Sequence, residues 1–312
     1  CIGEALIDMI CTDTGTALSE GEHFLKKPGG APTNVAAAIA ALGGDVLLAA
    51  KVGDDPFGEH LVNVMKDFGV NTGHVVVDKT HFTTFAFVSL LSNGERDFVF
   101  NRGADGQLAI EEVTNISLQD CAVVHFGSAT AFLPGPLQQT YVFLLEEARK
   151  NGVFISFDPN YRQLLFGDKQ ESFVEQSWPF IKQCNFFKVS HEEAMLLTKQ
   201  SSVDGAVKVL KQGTSATFCI TLGKEGTFLV HAQREEIIPT ITVKSIDSTG
   251  AGDAFVGAML YQLRNFRLEE IQALPFGHWR KMVANANKAG ARTCEYMGAM
   301  EAFKHLSNTI FD

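Results

Sequence analysis

Several kinds of protein are excluded by what this chain lacks. Its six cysteines form no Cys-x-x-Cys pair, and none lies near a histidine at zinc-finger spacing. The nine histidines are scattered, without a pair at metal-ligand spacing. We therefore expect neither a zinc module nor a disulfide-stapled secreted domain, and we interpret most of the cysteines as small apolar residues in a reducing compartment.

Long hydrophobic runs and excess positive charge are also missing. No apolar stretch approaches the roughly 20 residues of a membrane-spanning helix, and the longest, 35–50, is broken by Gly43, Gly44 and Asp45. No signal peptide is visible, although the chain opens at Cys1 rather than Met. The 26 Lys and Arg residues face 36 Asp and Glu residues, for a net charge of −10. We expect a cytoplasmic protein that binds neither nucleic acid nor membrane, although a local basic pocket can still hold phosphates.

The composition is that of an ordinary globular protein. Of its 312 residues, 46% are hydrophobic and 20% are charged, which excludes wholesale disorder. The length allows one large α/β domain or two smaller ones. Because no internal repeat and no Pro- or Ser-rich linker divides the chain, we expect one domain over residues 1–312.

Apolar runs typical of buried strands alternate with helical periodicity through the middle of the chain. The predicted order is a strand at 122–126, a helix at 135–150, strands at 153–157 and 186–189, helices from His191 and Val203, and a strand at 218–222. Such an order predicts a doubly wound, mostly parallel sheet with helices on both faces. Ligands of these sheets bind beyond the carboxyl ends of the strands, so the loops there are the first places to search for a site.

One region follows a different period. Apolar residues alternate on both sides of Asn93-Gly94 between Thr83 and Phe100, and Asn-Gly is a strong signal for a tight hairpin. We expect an antiparallel excursion from the α/β core, either a lid or interface or an antiparallel extension of the main sheet.

A glycine-rich turn carries the most chemical information. The segment from Val243 is read as an apolar strand that ends at Asp247, followed by Gly250-Ala251-Gly252-Asp253 and a helix that opens near Gly252. The first amides of such a helix lack intrahelical partners, and small residues let an anion approach them. Asp253 would place a carboxylate beside that anion, or would simply complement the helix dipole.

A second glycine-rich segment leads into another helix. Gly29 and Gly30 precede a helix predicted to begin near Thr33, where Asn34 either binds a sugar hydroxyl or caps the helix. Asp8 follows the strand 5–7 and is interpreted as a second polar residue at a strand end, or as a buried turn-forming residue.

Other nucleotide-binding and hydrolytic motifs are missing. The chain has no GxxxxGK[ST], no GxSxG and no HExxH, and Phe255 stands where a GxGxxG motif beginning at Gly250 would need glycine. The missing dinucleotide motif counts against an NAD-dependent dehydrogenase, which a test of NAD binding would detect.

The two glycine-rich segments resemble the signatures of the ribokinase/PfkB family of carbohydrate kinases. The first comprises 29–34 with Gly43 and 52–58, the second comprises 247–253, and the likeness extends over essentially the whole chain. Segments 3–8, 158–162 and 188–193 are most similar to the fructokinase branch, although 2-keto-3-deoxygluconate kinases share much of them. The resemblance implies a ribokinase-like α/β fold with a small β-sheet lid, its strands inserted at about 10–28 and 80–104.

The resemblance also implies the roles of the catalytic and sugar-binding residues. Asp253 would be the general base, and Gly250, Ala251 and Gly252 would form the anion hole for the transferred phosphoryl group. Sugar binding would fall to the strand-end and lid residues, namely Asp8, Gly29, Gly30, Asn34, Phe98, Arg102 and Arg162, with Phe98 and Arg102 on the return strand of the hairpin. In the family this lid closes over the sugar and often forms the dimer interface.

For the nucleotide, the resemblance implies ATP with Mg²⁺. The matching ATP-side residues are Asn160, Ser190, Thr221, Gly223, Gly226 and Asn287. Glu193 matches a family magnesium residue, but Ser190 replaces the usual Asn of its N-x-x-E motif. Asp247 and Thr249 match a monovalent-cation site, for which K⁺ is the expected ion, although Glu295 is unusual in the nearby tail.

Together these features predict an ATP-dependent kinase that acts on a sugar hydroxyl. D-Fructose, converted to fructose 6-phosphate, is the favoured substrate. A 2-keto-3-deoxygluconate kinase or another sugar kinase of the family is the alternative. A catalytically silent sugar- or nucleotide-binding regulator is the alternative of a different class.

Overall fold

The structure is a computed structural model that describes residues 1–311. Twelve strands are formed within these residues. They are β1 (Leu6–Cys11), β2 (Phe24–Gly29), β3 (Leu47–Gly53), β4 (Asn71–Asp78), β5 (Thr84–Leu90), β6 (Arg96–Asn101), β7 (Val123–Phe126), β8 (Phe154–Phe157), β9 (Phe186–Ser190), β10 (Thr217–Thr221), β11 (Thr227–His231) and β12 (Arg234–Ile238).

The helices mostly lie between these strands. They are α1 (Ala31–Ala41), α2 (Pro56–Phe68), α3 (Pro136–Lys150), α4 (Gln163–Phe166), α5 (Gln170–Gln183), α6 (His191–Thr198), α7 (Val203–Gly213), α8 (Ala251–Leu263), α9 (Leu268–Gln272), α10 (Phe276–Thr293) and α11 (Ala299–Phe303). Among residues 1–311, no helix is long and apolar enough to cross a membrane.

The large sheet has the predicted parallel centre. Strands β7, β8, β9 and β10 are neighbours in that order and run parallel, while β11 and β12 continue the sheet in antiparallel fashion. Ile2 bridges both Ala49 and Phe126, which brings the parallel pair β3 and β4 beside β7. Two apolar clusters are built from these strands and the surrounding helices, as expected for a sheet covered by helices.

A separate four-stranded sheet has the order β2-β1-β5-β6. Strands β5 and β6 form the predicted hairpin, with Val88 opposite Phe98 and a turn at Asn93-Gly94. Gly94 has φ of 85°, which a glycine adopts without the steric cost of a Cβ. The predicted antiparallel excursion is therefore present, and it includes β1 and β2 as well.

Three local predictions were wrong. Asp8 lies inside β1, because the strand continues to Cys11 and pairs with both β2 and β5. The segment 243–247 forms no strand, because the amides of Ile246 and Asp247 donate to the carbonyl of Cys294 at the end of α10 rather than to a sheet. Arg102 follows the return strand β6, which ends at Asn101.

Close packing of α1 against α8 brings their amino ends together. Gly257 lies in the middle of α8, and a Cβ at this position would stand 2.8 Å from the Cβ of Ala38 in α1. The missing side chain allows the two backbones to approach closely. As a result, the first turns of both helices, which carry Asn34 and Asp253, face each other.

Candidate active site

Asn34 and Asp253 are in direct contact although they are 219 residues apart. The side-chain amide of Asn34 donates to Oδ2 of Asp253 at 2.8 Å, and both residues are buried. Burial raises the pKa of Asp253, while the hydrogen bond from Asn34 and the charge of Lys188 oppose that rise. The carboxylate is thus kept in a dry setting with enough polar support to ionise.

The turn before α8 presents unpaired backbone donors. The amide of Ala251 donates to Ser248 and that of Ala254 donates to Gly250, whereas within residues 1–311 the amides of Gly252 and Asp253 have no acceptor. Gly250 has φ of 81°, and a Cβ there would lie 2.5 Å from that of Ala299. This helix start can therefore accept an anion on its free amides and positive dipole end.

Lys188 adds a positive charge to the same place, which the sequence analysis missed. Its ammonium nitrogen lies 2.9 Å from Oδ2 of Asp158 and 3.0 Å from the position that a Cβ on Gly252 would occupy. Burial alone would lower the pKa of Lys188, but the carboxylates around it, Asp158 foremost, raise it instead. The available signal was a single charged residue inside the apolar strand Phe186–Ser190.

Asp158 and Asn160 form the polar end of the neighbouring strand β8. Burial raises the pKa of Asp158 to about 6 against the opposing charge of Lys188. Asn160 has φ of 52°, and its backbone amide donates to Oδ1 of Asp158 at 3.2 Å. Its side-chain amide donates to the carbonyl of Gly127, and a further side-chain hydrogen bond from Asn160 lowers the pKa of Asp253. This strand end therefore belongs to the same site.

Asp8 and the two glycines that precede α1 are brought together. A Cβ on Gly29 would lie 2.2 Å from Oδ2 of Asp8, and one on Gly30, whose φ is 105°, would lie 2.3 Å from the carbonyl oxygen of Glu4. Gly30 therefore has no room for a side chain, and a side chain at Gly29 would displace the carboxylate of Asp8. Burial raises the pKa of Asp8 to about 6, and the charge of Arg162 opposes the rise.

Arg162, Arg102 and Phe98 have different positions. Arg162 is exposed, and its charge acts on both Asp8 and Asp253. The guanidinium of Arg102 instead donates to the carbonyls of Pro134, at 2.6 Å, and Thr130, at 3.0 Å. Phe98 is half-buried on the small sheet and stacks on Phe100. Arg162 therefore acts on the buried carboxylates Asp8 and Asp253, whereas Arg102 lies 3.6 Å from the buried carboxylate of Asp105.

The predicted nucleotide residues line the ends of β10 and β11. Thr221 is the last residue of β10, and the turn that follows contains Gly223 and Gly226, both with positive φ. A Cβ on Gly226 would lie 2.2 Å from the carbonyl oxygen of Ile238. Asn287 is buried, accepts from Thr227 at 2.6 Å and donates to Ile238 at 2.9 Å. Its side chain therefore holds α10 against the strand ends that form this loop.

Ser190 and Glu193 form a capping box at the start of α6. The hydroxyl of Ser190 accepts from the amide of Glu193, whose Oε2 accepts from the amide of Ser190 at 2.7 Å. Oε1 of Glu193 accepts from the amide of Tyr161 at 2.7 Å. Within the described residues, no group of three or more His, Cys, Asp or Glu side chains could hold a metal ion. Glu193 and Asp158 nevertheless place carboxylate oxygens close to Lys188, and carboxylate oxygens are a ligand type that Mg²⁺ takes in proteins.

Asp247 ties together the loops around the start of α8. Its Oδ1 accepts from the backbone and hydroxyl of Thr249, at 2.9 and 2.7 Å, and its Oδ2 accepts from the amide of Gly298 at 2.8 Å. Partial burial acts to raise the pKa of Asp247, but these hydrogen bonds lower it overall. The carboxylate thus stays ionised and orders the turn that leads to Gly250.

The site places a buried carboxylate beside free helix amides and a buried ammonium group. A scan of the whole chain matches residues 1–305 to the model of the pfkB family carbohydrate kinases. The chain belongs to this carbohydrate kinase family. It is 38% identical to fructokinase-1 of Zea mays over 264 residues, which cover 84% of the kinase and 81% of the maize protein.

Solved structures share the fold of the kinase. The fructokinase from Xylella fastidiosa with bound ATP superposes with a TM-score of 0.88 and 29% identity, covering 100% of this chain and 95% of the other. A fructokinase double mutant from Vibrio cholerae O395, in a fructose-, ADP- and potassium-bound form, gives a TM-score of 0.84 and 28% identity, covering 99% and 95%. The ribokinase-like architecture expected from the sequence is confirmed.

Proposed function

We propose that this kinase is an ATP-dependent fructokinase that transfers the γ-phosphoryl group to D-fructose and forms fructose 6-phosphate. The observation that carries the proposal is the Asn34–Asp253 hydrogen bond beside the unpaired amides of Gly252 and Asp253. The similarity to fructokinases, one of them with bound ATP and one with bound fructose and ADP, supports the choice of substrates.

Asp253 acts as the general base in this proposal. Its carboxylate takes the proton of the attacking sugar hydroxyl while the hydroxyl oxygen bonds to the γ-phosphorus and the bond to the β–γ bridging oxygen breaks. ADP leaves with the electron pair of that bond. The raised pKa of Asp253 makes it a better proton acceptor than an exposed aspartate, provided that the pH stays above its pKa.

The amino end of α8 and Lys188 stabilise the charge on the transferred group. Gly250, Ala251 and Gly252 form the anion hole, in which the free amides of Gly252 and Asp253 would donate to the phosphoryl oxygens. Lys188 lies within reach of the same space because its ammonium stands against Gly252. Donors held in a buried site stabilise developing charge more strongly than the same donors in water.

The sugar would be held by Asp8, Gly29, Gly30 and Asn34. Asp8 and Asn34 provide a carboxylate and an amide that suit neighbouring hydroxyls, and the two glycines leave room for the ring. Arg162 would contact either the sugar or the phosphates. Phe98 and Arg102 belong to the lid side of the pocket, Arg102 by supporting the loops that Pro134 and Thr130 anchor.

The nucleotide would lie along the ends of β9 and β10. The residues proposed to line its site are Asn160, Ser190, Thr221, Gly223, Gly226 and Asn287. Mg²⁺ held with the phosphates by Glu193 would neutralise their charge when bound, and a monovalent cation, K⁺ being the expected ion, would bind by Asp247 and Thr249.

The small sheet serves as the lid and as a surface for a second copy of this chain. The strand register aligns four apolar residues across one face of this sheet, namely Leu25, Ile10, Val88 and Phe98. Leu25 and Ile10 are exposed. An apolar row of this kind is favourable to bury against an identical sheet. We further place the kinase in the cytoplasm, a location that its six free cysteines support. We assign residues 1–312 to one domain.

The test is ADP release with Mg-ATP against fructose, ribose, 2-keto-3-deoxygluconate, glucose and adenosine. Turnover dominated by fructose is expected. Turnover with another sugar would move only the sugar assignment, and silence from folded protein that binds ATP would favour the regulator. Asp253→Asn should reduce kcat by about 10²–10⁴-fold with sugar binding largely retained in calorimetry. Lost binding with normal turnover at saturation would refute the base assignment.

A further inference from the structure

Glu4 holds the first turn of α1 from a distance in the sequence. Its buried side chain accepts the amide of Ala31 at 2.9 Å through Oε1, and its carbonyl accepts the hydroxyl of Thr33 at 2.8 Å. Ala31 and Thr33 belong to the turn that presents Asn34 to Asp253. Helix starts are satisfied by such acceptors, but here the acceptor comes from the segment that leads into β1.

Asp105 holds the base of the hairpin β5–β6 in the same way. Its Oδ1 accepts from the hydroxyl of Thr84, the first residue of β5, and its Oδ2 accepts from the hydroxyl of Thr130 at 2.8 Å. The amide of Gly103, just after β6, donates to the hydroxyl of Thr84 at 2.8 Å. One buried carboxylate therefore contacts the point where the chain enters the hairpin and acts through Thr84 on the point where it leaves.

The loop after β7 connects the two carboxylates. Oε1 of Glu4 also accepts the amide of Ala129 at 3.3 Å, and the next residue, Thr130, is the partner of Asp105. Ser128 completes the loop, since its hydroxyl accepts the amide of Thr130 at 3.2 Å. The members are buried, so water cannot replace a lost bond without a rearrangement.

We propose that Glu4 and Asp105 are positioning residues that couple the placement of the lid to the first turn of α1 through the loop 128–130. The proposal rests on the sugar-kinase function above. When the lid moves, Thr84 and Asp105 carry the displacement through Thr130 to the backbone that holds Asn34. A small shift of Asn34 weakens sugar binding, because the alignment of the reacting groups tolerates little displacement.

The test uses two isosteric changes at fully buried threonines. Thr130→Val removes the hydroxyl between Ser128 and Asp105, whereas Thr140→Val removes a hydroxyl that donates to Leu108 at 2.8 Å and touches neither carboxylate. Thr130→Val loses the bond to Asp105 and the 3.3 Å contact with Ser128, Thr140→Val loses the single bond to Leu108, and both side chains keep their shape. We expect Thr130→Val to raise the KM for fructose about tenfold, which is the size of effect that the loss of one hydrogen bond to a charged group can produce. The KM for ATP should stay unchanged. Thr140→Val should change neither.

Hydrogen exchange supplies a readout that needs no turnover. Thr130→Val should speed amide exchange in both 31–34 and 84–101 more than Thr140→Val does. Equal KM values for the two variants, or faster exchange confined to the loop 128–130, would overturn the coupling. A wild-type enzyme without fructose turnover would refute the fructose assignment instead, and the exchange comparison would still decide the coupling.

Discussion

The buried pair Lys188–Asp158 allows the structural and catalytic roles of one charge to be separated. Lys188→Met would leave Asp158 buried without its 2.9 Å partner, and breaking such a pair by removing one side costs about 3–5 kcal/mol. The variant should also lose turnover, by about 10²–10³-fold, the usual effect of removing one donor to a developing anion. Taken alone, it could not show which loss causes the other.

The double variant Lys188→Met/Asp158→Asn resolves this. Removing both charges removes the unpaired Asp158 carboxylate, although Glu193 and Asp253 still lose the charge of Lys188. The free energy of unfolding in urea should therefore return part of the way to the wild-type value. The ammonium beside Gly252 is still missing, so kcat in the ADP-release assay should remain low. Recovery of kcat together with stability would refute the reasoning and reduce Lys188 to a structural role.

A matched control is available in another buried lysine. Lys51 lies 2.7 Å from Glu112 and 3.3 Å from Asp78, and its ammonium also donates to the carbonyl of Gln107, so its partners differ from those of Lys188. Lys51→Met should lower stability by a similar amount and leave kcat for the folded protein near that of wild type. If it reduced kcat as strongly as Lys188→Met, loss of any buried lysine would explain the effect.

Three further predictions concern the same site. Gly252→Ala places a Cβ 3.0 Å from the ammonium of Lys188, so kcat should fall at least tenfold, a change of about 1.4 kcal/mol in the barrier. The melting temperature should stay unchanged, and an unchanged kcat would mean that the reaction does not use this space. In Asn34→Ala the pKa of Asp253 should rise further, because a hydrogen bond that lowers it is lost. The acidic limb of the kcat–pH profile at saturating sugar should then move to higher pH, and a limb that does not move would count against Asp253 as the base. The KM for fructose should rise as the pH falls through the pKa of Asp8, about 6, because the ionised carboxylate accepts two hydroxyl donors and the protonated acid does not. A KM that stays constant from pH 5 to 8 would show that Asp8 does not bind the sugar.

Local patterns were sufficient for much of the architecture. The alternation of apolar strands with helical periodicity predicted the parallel centre of the large sheet, and Asn93-Gly94 predicted the hairpin, because both depend on near-neighbour backbone preferences. The free amides at the start of α8 follow from the same logic, since glycine and alanine leave a helix start uncovered. The predicted strand before Asp247 was wrong because the amides of Ile246 and Asp247 donate to the carbonyl of Cys294, a partner that no local pattern identifies.

The sequence by itself determined which residue types stand at each helix and strand end, and so the chemistry available to the kinase. Only the tertiary structure decided which of them meet. Asn34 reaches Asp253 because Gly257 lets α1 and α8 pack closely. Lys188 of β9 reaches Gly252 because the fold brings its ammonium to the start of α8. Contacts between residues far apart in the chain depend on packing of the whole core, and the raised pKa values of Asp8, Asp158 and Asp253 arise from the burial that this packing creates.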